Sequence, residues 1–264
     1  MPTFAANLTM LFTELPFMER FAAAKAAGFG HVEYLFPYPY PKEELAAALK
    51  DNGLKQVLHN LPAGNWDAGE RGIACHPDRV AEFRDGVGQA IAYATALECP
   101  KVNCLAGKLP EGVTREEAHA TLVGNLAFAA SALQAARIRL LIEPINSYDI
   151  PGFFLTRTDQ ALALMDEVGS ANLLLQYDIY HAQRTEGELG GTLARHLGRI
   201  GHIQLADNPG RNEPGTGEIN YAWLFRHIDT LGYGGTIGCE YKPKTTTTQG
   251  LGWMTALARQ GEKK

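Results

Sequence analysis

Cysteine is scarce in this 264-residue chain: Cys75, Cys99, Cys104 and Cys239 are the only four. None forms a C-x-x-C pair, which argues against a disulfide framework or a thiolate zinc site and for small thiols in a reducing compartment. Long apolar runs are also missing. No stretch approaches the roughly 20 residues that span a bilayer, so no membrane partner is expected. Excess positive charge is absent too, with Lys+Arg at 24, Asp+Glu at 29 and a formal charge of −5. That balance, with no dense basic run, argues against a nucleic-acid partner. Neither G-x-G-x-x-G nor G-x-x-x-x-G-K-[ST] occurs, which removes the usual Gly-rich phosphate cradles. The opening MPTFAANLTMLFTELPF lacks a charged start, and Asn7, Thr9 and Glu14 interrupt its apolar residues. No signal peptide is expected, and a cytoplasmic setting follows.

What is present is a regular alternation of strand-like and helix-like stretches. Strands are expected near 4–10, 31–36, 54–61, 101–106, 139–143, 173–178, 200–206 and 235–241. Helices are expected near 16–27, 42–52, 79–97, 114–136, 158–168, 188–197, 220–231 and 247–259. Thr114 with Glu117 forms a capping box, and Gly28 and Gly232 mark helix ends. Eight strands alternating with eight helices, with no linker or tandem repeat, predict an α/β fold: a single (β/α)8 TIM barrel occupying 1–264 as one catalytic domain. Two long connections, 62–78 and 207–219, follow strands and so belong to the rim where barrel enzymes build their sites. Trp66, Arg71 and Arg211 lie in them as candidate lid or substrate-contact residues.

Four of the apolar runs end in a polar side chain. These are Glu143 in RLLIEP, Asp178 in LLLQYD, Gln204 in IGHIQLAD and Glu240 in GTIGCEY. Their spacings of 35, 26 and 36 residues match one βα unit of roughly 30 residues each. The four groups should therefore converge on one rim. A buried, unpaired carboxylate is costly, so three of them in such places imply a use. Three carboxylates and one amide carbonyl are hard oxygen ligands, suited to Mg²⁺ or, as the alternative, Mn²⁺. Glu143 and Glu240 could also bracket a planar intermediate and move a proton between adjacent carbons of a hydroxy-carbonyl compound. Burial and mutual repulsion raise such carboxylate pKa values, and a cation lowers them.

Other polar residues are candidate substrate contacts. His181 follows Asp178 by three residues and is a candidate partner for a substrate oxygen. Lys242 lies two residues after Glu240; in a strand both would face the same way and the cation would meet a substrate carboxylate. His59 ends the third strand and is expected at the mouth. Tyr34, Tyr38 and Tyr40 read as rim packing, and His31, His76, His119, His196, His202 and His227 as structural or exposed.

On these residues the chain resembles the hydroxypyruvate isomerase family, within the xylose isomerase-like barrel superfamily. The likeness is carried by FAANLTMLF at 4–12, HNLPAGNWDAGERGIACHP at 59–77, FRDGV at 83–87, LLIEPIN at 140–146, IPGF at 150–153, QYDIYHAQR at 176–184, GHIQLADNPGR at 201–211, EPGTGEINY at 213–221 and GCEYKP at 238–243. The resemblance implies proton transfer by Glu143 and Glu240 and Mg²⁺ ligation by Glu143, Asp178, Gln204 and Glu240. It implies interconversion of hydroxypyruvate and 2-hydroxy-3-oxopropanoate in glyoxylate or related carbon metabolism. The related ketose 3-epimerases carry a metal-binding His where this chain has Gln204. That departure weakens a sugar-epimerase reading and leaves a strict metal requirement open. A cousin group isomerises 2-oxo-tetronates, one carbon longer; HNLPAGNWDAGERG favours the three-carbon substrate. A metal-dependent hydrolase, including a DNA-repair endonuclease of the same barrel class, is a rival reading that would call for several histidines and a basic groove. A binding protein with a dead site is another. The expected partner is a small hydroxy-oxo acid; the sequence leaves a homo-oligomer open.

Overall fold

The computed structural model describes residues 2–261. Eight parallel strands close into a barrel in sequence order, each hydrogen-bonded to the next and the eighth to the first. They are β1 Thr3–Asn7, β2 His31–Glu33, β3 Lys55–Asn60, β4 Lys101–Cys104, β5 Arg139–Ile142, β6 Leu173–Asp178, β7 Ile200–Leu205 and β8 Thr236–Cys239. This is the (β/α)8 TIM barrel that the alternation predicts. Seven strands fall inside the expected stretches, and β1 begins one residue before its own.

The helices are α1 Arg20–Ala26, α2 Lys42–Asp51, α3 Val80–Ala96, α4 Arg115–Ala135, α5 Thr158–Val168, α6 Ile179–Thr185, α7 Leu189–His196, α8 Tyr221–Thr230, α9 Thr247–Gly250 and α10 Gly252–Gly261. The capping box opens α4 as expected: Thr114 accepts from Glu117 N and Glu117 reaches back to the Thr114 backbone. Gly28 and Gly232 follow their helices with φ of +91° and +79°, left-handed values that L side chains resist. Two features depart from expectation. The last helical stretch is broken into α9 and α10, and α6 begins directly at the end of β6, where none is expected. Among the described residues, no helix is long and apolar enough to cross a membrane.

The main core lies between barrel and helices, built from residues such as Phe21, Leu45, Leu122, Leu126 and Phe225. A second, small apolar cluster holds Ala5, Val57, Leu58 and Leu141, with Leu174 against it. Ala5, Leu58, Leu141 and Leu174 each stand two residues before a polar group: Asn7, Asn60, Glu143 and Gln176. Side chains two apart on a strand share a face. These apolar residues therefore form the barrel's inner floor, and the polar groups stand above them toward the C-terminal rim.

Candidate active site

Short strands and alternation place a ring of buried polar side chains inside the upper barrel. β5 ends at Ile142, so Glu143 is the first residue past it; β8 ends at Cys239, so Glu240 is likewise the first past its strand. Asp178 and Gln204 lie opposite each other in register, and Gln204 lies opposite Gly238. Glu143, Asp178, Gln204 and Glu240 are all at least nine-tenths buried. Glu143, Gln204 and Glu240 line one cavity with Asn7, Glu33, Asn60 and Gln176. Its volume, about 10 Å³, is the room of a single water or cation. Larger hollows lie elsewhere. One of about 850 Å³ is lined by residues at and beside the strand starts, including His31, Lys55, Lys101 and Thr236; another of about 490 Å³ is lined by residues of α4 and α5. Neither brings two of the rim carboxylates together, and barrel chemistry belongs to the opposite, C-terminal face.

Each carboxylate is held differently. Glu143 Oε2 accepts from Asn103 Nδ2 at 3.0 Å and Gln176 Nε2 at 2.9 Å. Asp178 Oδ1 is spent as the N-cap of α6, accepting from Tyr180 N at 2.7 Å and His181 N at 3.3 Å. Its Oδ2 is buried with no hydrogen-bond partner. Glu240 Oε2 accepts from the Arg211 guanidinium at 2.8 Å. Burial raises the Glu143 pKa well above the ordinary carboxylate value, and the Glu240 and Asp178 charges add to it. Burial likewise raises Asp178, with Arg211 opposing. Glu240 is pushed up to about 8, by burial first, against the pull of Arg211.

Arg211 reaches this cluster from the loop after β7. Asp207 organises that loop by accepting from the backbone N–H groups of Asn208, Gly215, Gly217 and Ile219. Arg211 itself has φ of +54°. Burial works against its charge, but Glu240, Asp178, Asp149 and Glu143 together raise its pKa. It also lies over the Tyr180 ring, 5.1 Å from the centroid. His181, on α6, places Nε2 3.6 Å from Asp178 Oδ2 and 4.0 Å from Glu143 Oε1. Burial holds its imidazole pKa well below the usual value, so it is neutral.

Glu143, Asp178 and His181 each offer a possible ligand atom, all within 4.8 Å of one another. The unpartnered Asp178 oxygen and the mutually raised carboxylates fit a cation. Gln204 is one step removed. Its Oε1 accepts from Gln176 at 2.6 Å and its Nε2 donates to Glu33 at 2.7 Å.

Two expected substrate contacts are corrected. His59 does not reach the mouth: Asn60 takes the inward position, bonding Asn103, while His59 faces the helix layer. There its ring meets Tyr38 edge-on, Nδ1 bonds Gln56, and Nε2 points toward the Ala90 backbone without a hydrogen bond of normal geometry. Lys242 does not share the face of Glu240 because the strand has already ended; its side chain is exposed. Its backbone instead secures the Arg211 loop, N–H to the Arg211 carbonyl at 2.8 Å. Trp66 and Arg71 stack on each other at 4.0 Å and Trp66 packs on Phe36.

Glu33 is the residue that sequence reasoning missed. It ends β2 as the other carboxylates end their strands, and it accepts from His202, Gln204 and Asn7. Those donors outweigh burial and hold its pKa down. His202, completely buried, accepts in turn from Lys101 at 3.1 Å.

A family model described as xylose isomerase-like TIM barrel matches residues 21–257. A hydroxypyruvate isomerase of Escherichia coli (strain K12) is 59% identical over 251 residues, 95% of this chain and 97% of that one. A 2-oxo-tetronate isomerase of Cupriavidus necator (strain ATCC 17699) is 50% identical over 254 residues, 96% of this chain and 98% of that one. A solved structure described as an AP endonuclease, family 2, from Brucella melitensis superposes with a TM-score of 0.94 at 42% identity, covering 97% of this chain and 99% of that one.

Proposed function

The chain belongs to the xylose isomerase-like TIM barrel family, and on that premise we propose that it is an isomerase interconverting hydroxypyruvate and 2-hydroxy-3-oxopropanoate. The observation that carries this reading is that Glu143 and Glu240, from different strands, line one small buried cavity. One carboxylate removes a proton from C3 of hydroxypyruvate, leaving an enediolate across C2 and C3. Return of a proton to C2, with the hydroxyl proton passing from O3 to O2, gives the aldehyde.

Glu240 is the base in this scheme, because Arg211 favours its ionised form. Glu143, raised by burial and by the Glu240 and Asp178 charges, holds the proton for C2. Arg211 also meets the substrate carboxylate, and His181 meets a substrate oxygen. Glu143 and Asp178 would hold a divalent cation, Mg²⁺ first and Mn²⁺ second, with Glu240 and Gln204 as further oxygen donors. Bound there, the cation polarises the substrate's carbonyl and hydroxyl oxygens. The setting is a reducing cytoplasm, in keeping with four free, buried cysteines.

A 2-oxo-tetronate substrate is the second reading, favoured by the Cupriavidus necator relative. A side-by-side assay of both isomerisations, with and without a chelator, tests chain length and metal need together. Turnover of hydroxypyruvate well above the four-carbon acid is expected. DNA cleavage is the third, raised by the Brucella melitensis structure; the net charge of −5 and the small size of the cavity oppose it. Nicking of abasic duplex DNA with no isomerisation would replace the proposal.

A further inference from the structure

Asn146 is completely buried just past β5. Its Oδ1 accepts from the backbone N–H groups of Tyr148 at 3.1 Å and Asp149 at 2.9 Å. Those two bonds fix which end of the amide is oxygen. Flipping it would set the amide N–H₂ against two backbone donors, forfeiting both hydrogen bonds and stranding the groups. The Nδ2 end therefore faces His181, 2.6 Å from the ring's Nδ1. An amide nitrogen donates and does not accept. The ring nitrogen it faces must supply a lone pair, which excludes both the imidazolium and the Nδ1–H form. The ring's one proton sits on Nε2, directed at the gap between Asp178 Oδ2 and Glu143 Oε1, 3.6 and 4.0 Å away. Both distances are too long for a good hydrogen bond, so the N–H is free to meet a third oxygen.

We propose that Asn146 is a positioning residue that locks His181 in its Nε2–H tautomer, making the ring a hydrogen-bond donor to a substrate oxygen and barring it as a cation ligand. A ligating nitrogen must present a lone pair where this one presents a proton. The three clustered groups are then two ligands and one donor. The donor's target rests on the isomerase reading; the tautomer does not.

Long-range ¹H–¹⁵N correlation of the histidine rings in metal-free protein tests the lock, with the His181 signals identified by their loss in His181→Asn. A protonated Nε2 and an unprotonated Nδ1 are expected; the opposite pattern overturns the proposal. Asn146→Asp keeps an acceptor for the two backbone N–H groups and turns the donor into an acceptor. It is expected to move the proton to Nδ1 and to lower kcat about a hundredfold, the scale of one lost donor to a reacting oxygen. An unchanged tautomer in a folded Asn146→Asp protein overturns the lock. Saturating Mg²⁺ should leave the wild-type Nε2 proton in place, and its loss would show ligation. An Nε2–H signal in protein that turns over no hydroxypyruvate supports the lock and removes only the isomerase reading.

Discussion

Arg211 donates to Glu240 Oε2 across 2.8 Å and lies 3.9 Å from Asp178 and 3.6 Å from Asp149. One guanidinium thus stands beside two buried acids, Glu240 and Asp178, and its removal changes their protonation in a definite direction. A positive neighbour favours the carboxylate form and lowers its pKa. Glu240 is already raised to about 8 by burial despite that neighbour. In Arg211→Gln it rises further. The acidic limb of the rate profile, where the base must lose its proton, should move to higher pH and KM should increase. Arg211→Lys should restore the limb in part and the KM less, since a lysine cannot bind a carboxylate with two parallel donors. A pH–rate series on the three proteins checks this; an acidic limb unmoved in Arg211→Gln contradicts the assignment of Glu240 as base.

Glu143→Gln and Glu240→Gln should each lower turnover by about 10²–10⁴-fold, the usual contribution of a positioned proton-transfer group. Their thermal midpoints should match or exceed that of the parent. Both carboxylates have pKa values raised by burial, so each costs the folded state stability at neutral pH, and an amide of the same shape removes that cost. Turnover and melting temperature measured on the same preparations separate a chemical loss from an unfolded one. Near-normal turnover in both variants would remove the proposed chemistry.

The barrel is legible in the chain because a parallel strand buried on both faces reads as a short apolar run, and four of the eight runs carry a functional group at their ends. Glu143, Asp178, Gln204 and Glu240 are found that way. Glu33 carries the same signal, but β2 stops at Glu33 while the apolar stretch runs on to 36, so the sequence places Glu33 in mid-strand. His59 fails for a different reason. Facing alternates with every residue, so a one-residue difference in where a strand turns inward moves a side chain to the other layer. The pairing of β2 with β3 contains such a shift, between Val32 and Glu33. Lys242 fails because alternation holds only within a strand, and β8 ends at Cys239. The role of Asp178 as the cap of α6 depends on a helix that starts without a loop, and the role of Asn146 depends on which way its amide points. Neither is written in residue type or spacing.

Gly238 leaves the space that Glu33 occupies. A Cβ built there would stand 2.2 Å from Glu33 Oε1 and 2.3 Å from Oε2. Gly238→Ala therefore forces the carboxylate off its three donors inside a closed barrel. Overpacking of this kind costs about 1–3 kcal/mol, and each broken hydrogen bond adds to it. Denaturant unfolding should show a loss of at least about 2 kcal/mol. Turnover should fall as well, because Gln204 loses the acceptor for its Nε2. A stability within about 0.5 kcal/mol of the parent, the range of a neutral surface change, would mean that the barrel interior yields more easily than the packing implies.

His59 sets a pH dependence that can be isolated from the active site. Burial depresses its pKa to about 3, against roughly 6.5 in an unfolded chain. Between those values the unfolded state binds a proton that the folded state refuses, so stability is full above about pH 6.5 and falls as pH drops toward 3. One such group contributes a slope of up to about 1.4 kcal/mol per pH unit. His59→Phe keeps an aromatic ring against Tyr38, removes the unpartnered Nε2 and cannot titrate. Unfolding free energies at pH 7 and pH 5 should then differ by about 2 kcal/mol less in the variant than in the parent. His181 and the buried carboxylates titrate in both proteins, so their contributions cancel in that difference. Parallel pH curves for the two proteins would show that His59 can take up its proton without unfolding, which its packing between β3 and the helix layer argues against.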